Sequence, residues 1–173
     1  YPRLPELIEE IKKRGMTAFL VTNGTNPEML RKLLKNEKYY PTQFYLTLSA
    51  PDEETFESVC HPLIDDAWNK INESLSLINK FKRSTIRLTL AKERNMVKPE
   101  LYSELIKKAD PEFIECKAYV WVGYSRYRLD KEAMPRHDEI KEFAQKIARL
   151  SGYKVVDEKE ESRVVLLAKQ DKD

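Results

Sequence analysis

Apolar residues in this chain switch between helical and strand-like spacing along almost its whole length, and that alternation restricts the fold more than any other feature. Leu4, Leu7, Ile8 and Ile11 recur at helical spacing, and Gly15 stops the run. Thr17 to Val21 reads as a short apolar strand ending at Thr22-Asn23-Gly24. Asn26-Pro27 then supplies a cap and a first-turn proline for a helix to about Asn36, with Met29, Leu30, Leu33 and Leu34 facing inward. A second strand runs from Gln43 to Leu48 and closes on Ser49-Ala50. Pro51 and Asp52 open a short helix, and Trp68, Ile71, Leu75 and Ile78 mark a longer one. Ser84 to Ala91 is a third strand, in which Ile86, Leu88 and Leu90 alternate with Arg87 and Thr89. Pro99 starts a helix carrying Leu101, Leu105 and Ile106, and Phe113 to Val122 is a fourth strand. A polar loop from Gly123 to Met134 follows. Ile140, Phe143, Ala144, Ile147 and Leu150 mark a last helix that stops near Gly152. Tyr153 to Val156 and Val164 to Ala168, separated by an acidic turn, predict a terminal antiparallel hairpin.

Strands joined by helical crossovers of this length pair in parallel, so the fold is α/β, a mostly parallel sheet covered by helices. The pattern alone leaves both an open doubly wound sheet and a barrel possible. In either, ligands bind at the carboxyl ends of the strands, which here carry Thr22-Asn23 and Ser49. With 173 residues, 41% of them hydrophobic, one domain spanning residues 1–173 has enough material for a core. The chain starts Tyr1-Pro2 without an initiator Met, as a piece of a longer protein would.

No apolar run is long enough to span a membrane, and the first residues alternate charged and apolar, unlike a signal peptide. Cys60 and Cys116 have no CxxC partner and read as thiols of a reducing, cytoplasmic compartment. His61, beside Cys60, has no further ligand nearby, so no metal site is expected in this chain. His137 at the start of the last helix reads as a capping residue. No Gly-rich phosphate loop, Ser-His-Asp arrangement or HExxH pattern occurs. A net charge of +2 means that affinity for nucleic acid must come from a local patch.

Such a patch exists. Tyr124, Arg126, Tyr127, Arg128, Lys131 and Arg136 mix aromatic and basic side chains in the manner that suits phosphate contact and base stacking on a structured RNA. An ordinary solvated loop has the same look. Arg87 is harder to explain as surface, because an arginine inside an apolar strand needs an anionic partner. Lys117 shares a strand face with Glu115 and Tyr119, where a structural ion pair competes with a functional cation.

In order, Thr22-Asn23-Gly24, Tyr45 to Ala50, His61-Pro62-Leu63, Arg87-Leu88-Thr89-Leu90, the Glu115-x-Lys117 strand and Pro135-x-His137-x-Glu139 resemble the radical S-adenosylmethionine family of tRNA 4-demethylwyosine synthases. The similarity runs from near Tyr1 to about Lys169. It implies the later units of a partial (β/α)6 barrel of the TIM type, ending in the hairpin. The CxxxCxxC loop for a 4Fe-4S cluster and a Gly-Glu-Pro strand end would lie upstream. The implied reaction condenses N1-methylguanosine at position 37 of tRNA(Phe) with a two-carbon unit of pyruvate. The implied cofactors are S-adenosylmethionine and the cluster, and a flavodoxin- or ferredoxin-type protein would donate electrons to a monomeric enzyme.

By the same resemblance Thr22, Asn23, Ser49 and Thr89 contact the cofactor, with Ser49 standing where relatives commonly show Asp. Arg87 and Lys117 serve catalysis, Arg87 by holding a carboxylate of cofactor or pyruvate. Tyr124, Arg126, Arg128, Lys131 and Arg136 face the tRNA, and the lysine that forms a Schiff base with pyruvate is expected upstream. Two rivals remain: a radical S-adenosylmethionine enzyme of different substrate, and a non-catalytic α/β binding module. A flavodoxin-like signalling domain would need acidic strand ends, which are absent.

Overall fold

The computed structural model describes residues 1–169, and local chemistry sets where its elements begin and end. Helix α1 (Leu4–Lys13) has a proline in its first turn, and the Arg14 N–H reaches back to the carbonyls of Glu10 and Ile11. Strand β1 (Phe19–Thr22) precedes α2 (Pro27–Leu33), which Asn26 caps by accepting from the Met29 N–H at 3.1 Å. This helix stops short of the expected Asn36. The Asn36 side chain instead accepts from the Lys38 N–H and starts a 3-10 turn, Glu37–Tyr39.

Strand β2 (Gln43–Thr47) leads to α3 (Glu53–Cys60), capped by Asp52, and then to α4 (Ala67–Leu75). Ile78, expected inside that helix, lies in the following 3-10 turn Ile78–Lys80 and is fully buried there. Strand β3 (Ser84–Leu90), α5 (Pro99–Ala109), β4 (Phe113–Ala118), α6 (His137–Ser151), β5 (Lys154–Lys159) and β6 (Val164–Ala168) complete the order. Strand β4 ends four residues before the expected Val122, because its neighbours run out there: β3 ends at Leu90, opposite Ala118, and β6 begins at Val164, opposite Lys117. Trp121 Nε1 then donates to the Leu129 carbonyl and begins the loop. Strand β5 outruns its apolar stretch because a bulge between Val155 and Asp157 keeps it paired with β6.

All six strands join one sheet in the order β1-β2-β3-β4-β6-β5. The first four are mutually parallel, and β6 is antiparallel to both of its neighbours. Helix α6 thus carries the chain past one strand position, and β6 returns to fill it. Among the described residues β1 and β5 are the two free edges, and the sheet does not close on itself.

Sequential parallel strands joined by right-handed crossovers place their helices on one side. That side holds the core. Leu46, Ile86, Ile114 and Leu167 align across four strands, beside Leu88, Cys116 and Val165, and pack under Ile71, Tyr102, Ile106, Ile140 and Ile147. Phe44 stacks on Phe81 with ring centroids 4.5 Å apart. The opposite face is chemically different. It carries Val21, Tyr45, Thr85 and Phe113 in one row, Thr47, Arg87, Glu115 and Leu166 in the next, and Thr89, Lys117 and Val164 nearest the carboxyl ends of the parallel strands. At its β1 edge Phe19 and Val21 are exposed. Among the described residues no helix is long and apolar enough to cross a membrane.

Candidate functional site

Two buried polar side chains hold the carboxyl ends of the parallel strands in place. Asn95, in the turn after β3, accepts from the Ala91 N–H at 2.7 Å and donates to the carbonyls of Thr89 and Ser49, each at 2.8 Å. Its own carbonyl accepts from the Tyr102 hydroxyl of α5 at 3.0 Å. Burial pushes that phenol far above its ordinary range, so it stays a donor at every relevant pH. The second is Ser74 of α4, whose hydroxyl donates to the Gly24 carbonyl at 2.6 Å. Gly24 has φ +75, which strains any side chain, and a Cβ there would also press on Leu46 Cδ1 at 3.2 Å. Asn95 and Ser74 were not singled out by sequence patterning. The only signal for Asn95 was its closeness to the end of a strand.

Thr22, Asn23, Ser49 and Thr89 all lie at these strand ends, as expected. Two of them already serve the turn they occupy. Thr22 Oγ1 accepts from the Gly24 N–H, and Asn23 Oδ1 accepts from the backbone and hydroxyl of Thr25. The Asn23 amide nitrogen is the group left to reach a ligand. The Ser49 hydroxyl lies beside the Cys60 thiol, whose pKa is raised by desolvation and restrained by that contact.

On the open face, Arg87 and Glu115 occupy paired positions of β3 and β4. Arg87 Nε donates to Glu115 Oε1 at 2.6 Å, and the guanidinium carbon sits 4.6 Å from the centroid of the Tyr45 ring. The anionic partner that an arginine in this strand requires is therefore supplied from within the chain. Burial, followed by the nearby Glu115 charge, raises the Tyr45 pKa and keeps its phenol neutral. Lys117 lies one inward position further along β4, opposite Thr89, and forms no ion pair among the described residues. It is the cation on this face whose charge remains available.

The expected RNA-facing residues divide into two groups. Tyr124 and Tyr127 are 82% and 85% exposed, with ring centroids 6.0 Å apart, and Arg126 lies over the Trp121 ring at 5.1 Å. Arg128 follows in the same turn, and Lys131 begins the next, Lys131–Ala133. Arg136 stands apart: its guanidinium pairs with Asp138 at 3.0 and 3.1 Å, beside Glu158, Glu160 and Glu161. His137 does not cap the helix as expected. Arg136 holds the cap position, and Glu139 supplies the acceptor for its N–H at 2.7 Å. His137 Nε2 instead meets Glu158 at 3.1 Å.

Cys116 is fully buried on the helix-covered side, and its thiol is pushed up to about 12. Cys60 is on the surface, and its thiol is likewise raised. Neither favours the thiolate that a metal needs. Among the described residues no group of three His, Cys, Asp or Glu side chains could hold a metal ion, so this part of the chain does not fit a 4Fe-4S cluster.

Residues 108–169 match the wyosine base formation family. Over its full length the chain is 49% identical to an S-adenosyl-L-methionine-dependent tRNA 4-demethylwyosine synthase of Pyrococcus abyssi, covering 51% of that protein. It is 38% identical over 99% of its length to the enzyme of that name from Methanocaldococcus jannaschii, covering 53% of it. A solved structure of TYW1 with a lysine-pyruvate adduct bound superposes with a TM-score of 0.86 at 38% identity, covering 97% of this chain and 52% of that one. A crystal structure of archaeal TYW1 gives 0.77 at 34% identity, with the same coverage. The chain spans about half the length of the curated relatives it matches. Over its whole length the chain is therefore similar to about half of an S-adenosyl-L-methionine-dependent tRNA 4-demethylwyosine synthase.

Proposed function

We propose that this chain forms one wall and the RNA-facing edge of the active site of a tRNA 4-demethylwyosine synthase. In that reading its four parallel strands are the later strands of a partial (β/α)6 barrel, and the face bearing Arg87, Glu115, Thr89 and Lys117 looks into the interior. The observation that carries it is the contrast between the two sheet faces. One is an apolar core under helices, and the other is a patterned set of cations, carboxylate and hydroxyls with exposed apolar residues at its edge. A surface that met only water would need no such arrangement.

The substrates would be N1-methylguanosine-37 of tRNA(Phe) and pyruvate, with two pyruvate carbons added to form the tricyclic base. Hydroxyls of Thr22, Ser49 and Thr89 and the Asn23 amide match the donors that a ribose and an amino-acid carboxylate take, so the strand ends fit S-adenosylmethionine. Radical chemistry would come from that cofactor and a 4Fe-4S cluster held outside the described residues, reduced by a flavodoxin- or ferredoxin-type donor. Within this chain, Asn95 and Ser74 fix the strand ends, and the Arg87–Glu115–Tyr45 set stiffens the wall. Lys117 presents a positive charge to the carboxylate of pyruvate or cofactor. Tyr124, Arg126, Arg128 and Lys131 would receive the RNA, with Arg136 at the margin. The protein would act as a monomer in the cytoplasm.

The test is turnover by the complete protein, cluster-loaded and reduced, on tRNA(Phe) carrying N1-methylguanosine-37 with pyruvate and S-adenosylmethionine. Mass spectrometry of the nucleosides should show 4-demethylwyosine. Cleavage of the cofactor without tricyclic product on this tRNA would assign the chain to another radical reaction, and absence of both would leave it a binding module.

A further inference from the structure

Beyond the strand ends, a cleft of about 360 Å³ opens between the end of α3, the turn after β3 and the turn after β4. Its walls are Val59, Ala91 and Leu129, with Ser58, Ser125, His61, Arg94 and Arg128 around them. Among the described residues no carboxylate lines it; Glu93, Asp130 and Glu132 line the adjoining hollow on the far side of Arg94 and Leu129. Arg94 and Arg128 are exposed and form no ion pair among the described residues. Two guanidinium groups free of ion pairs, flanking an apolar, hydroxyl-lined hollow, are complementary to a flat heteroaromatic ring bearing an adjacent phosphate. His61 is held there with φ +45, a left-handed backbone that turns the chain sharply at the end of α3.

Position identifies the source of that ligand. Ser125 lines the cleft from the same turn that carries Tyr124 and Tyr127, the exposed pair that can stack unpaired bases. On its other side His61 follows Cys60, whose thiol contacts Ser49 at the strand ends. None of Thr47, Arg87, Thr89 or Lys117 lines the cleft. It is therefore beside the reacting wall and distinct from it. We infer that this cleft is a subsite for a second nucleotide of the RNA strand, one neighbouring the base to be modified, its base between Val59 and Leu129 and its phosphate on Arg94 and Arg128. The inference rests on the RNA-modifying reading and specifies how the strand would be held.

The test uses the complete protein and a fluorescent anticodon stem-loop RNA, read by anisotropy over a range of salt. Arg94→Ala and Arg128→Ala should each weaken binding and lower the salt slope by about 0.7, the value for one single-strand phosphate contact. Ser58→Trp, at an exposed position, fills the hollow without changing charge. It should weaken binding about tenfold and leave the slope unaltered. As a check independent of folding, the same RNA made abasic at the nucleotides flanking the modified position should bind wild-type protein about tenfold more weakly, and Ser58→Trp no worse than wild type. Loss in the arginine variants with full affinity in Ser58→Trp and for abasic RNA would reduce the cleft to a phosphate patch and overturn the subsite. Equal competition by polyglutamate would point to an acidic protein partner and also overturn it. The two readings fail separately. Tricyclic product with unaltered binding in all three variants removes only the subsite, and the predicted binding pattern without product removes only the proposed reaction.

Discussion

Arg87 and Glu115 face each other across adjacent parallel strands, with Nε donating to Oε1 at 2.6 Å and their side chains 24% and 13% exposed. Removing one partner strands the other charge in a poorly solvated place. Arg87→Ala should therefore cost about 2 kcal/mol of stability, below the range for fully buried pairs because some solvent reaches both groups. Arg87→Ala combined with Glu115→Gln should regain part of that loss. Chemical denaturation of the four members of the cycle checks it. Additive losses would mean that the pair contributes nothing as a pair. Activity measurements on Arg87→Ala need this correction, since the residue shapes the wall as well as facing the site.

Asn95 supplies hydrogen bonds to three backbone groups from β2's end and β3's end at once. Asn95→Leu should cost about 3 kcal/mol, because those backbone groups stay buried and lose their partner. Asn95→Asp is more diagnostic. Its carboxyl would face the Thr89 and Ser49 carbonyl oxygens, which favour the protonated form and raise its pKa in the folded state. Stability of this variant should then be greatest below the ordinary carboxyl pKa and fall as pH rises through the raised folded value. A stability profile parallel to that of the wild type would show that the amide donates nothing of consequence.

How much of this was legible beforehand depends on the range of the interaction. Periodicity and capping residues located every helix and strand, because Asn26, Asp52 and Gly152 act on neighbours within a few positions. The early end of β4 was not legible, since it is set by where its neighbours β3 and β6 stop, and both are distant in sequence. Glu115 stood in plain view beside Lys117, but only the β3–β4 register reveals that it belongs to Arg87. Ser74 looked like an ordinary helix residue, and its bond to Gly24 spans fifty positions. The cleft flanked by Arg94 and Arg128 depends on three separate turns meeting, which no single stretch of sequence encodes.

Asp52 caps α3 by accepting from the Thr55 N–H at 2.8 Å and also pairs with Lys98 at 2.6 Å. Burial works to raise its pKa, but the bonds from Lys98 and Thr55 outweigh it and leave the carboxyl below its ordinary 3.8. A depressed folded pKa contributes stability above the ordinary value, and that contribution is lost as pH falls through the depressed one. Asp52→Asn keeps the cap and removes the titration, so its stability should decline less steeply than the wild type's below about pH 4. Asp52→Ala removes both and should cost about 1 kcal/mol at neutral pH. Thermal melts across the acid range distinguish the two, and identical profiles for wild type and Asp52→Asn would show the Lys98 pair to be without energetic effect.

Tyr124 and Tyr127 are the most exposed aromatic residues near the strand ends, and neither ring is needed by the core. Large apolar rings left in water on a short turn gain nothing for folding, so replacing them should leave the melting temperature within a degree or two of the wild type's. Stacking of an unpaired base on such a ring is worth about 1–3 kcal/mol. Tyr124→Ala and Tyr127→Ala should each weaken stem-loop RNA binding by roughly five- to 150-fold, with little change in salt dependence because no charge is removed. Arg126→Ala should behave differently. Its guanidinium already lies over Trp121, so its loss should lower the salt slope and expose the Trp121 face, detectable as a change in tryptophan fluorescence. Tyr→Phe at either position should keep affinity, since the ring and not the hydroxyl does the stacking. If the alanine variants bind as tightly as the wild type while the arginine variants do not, the loop contacts RNA through phosphates alone and the exposed rings must have another partner.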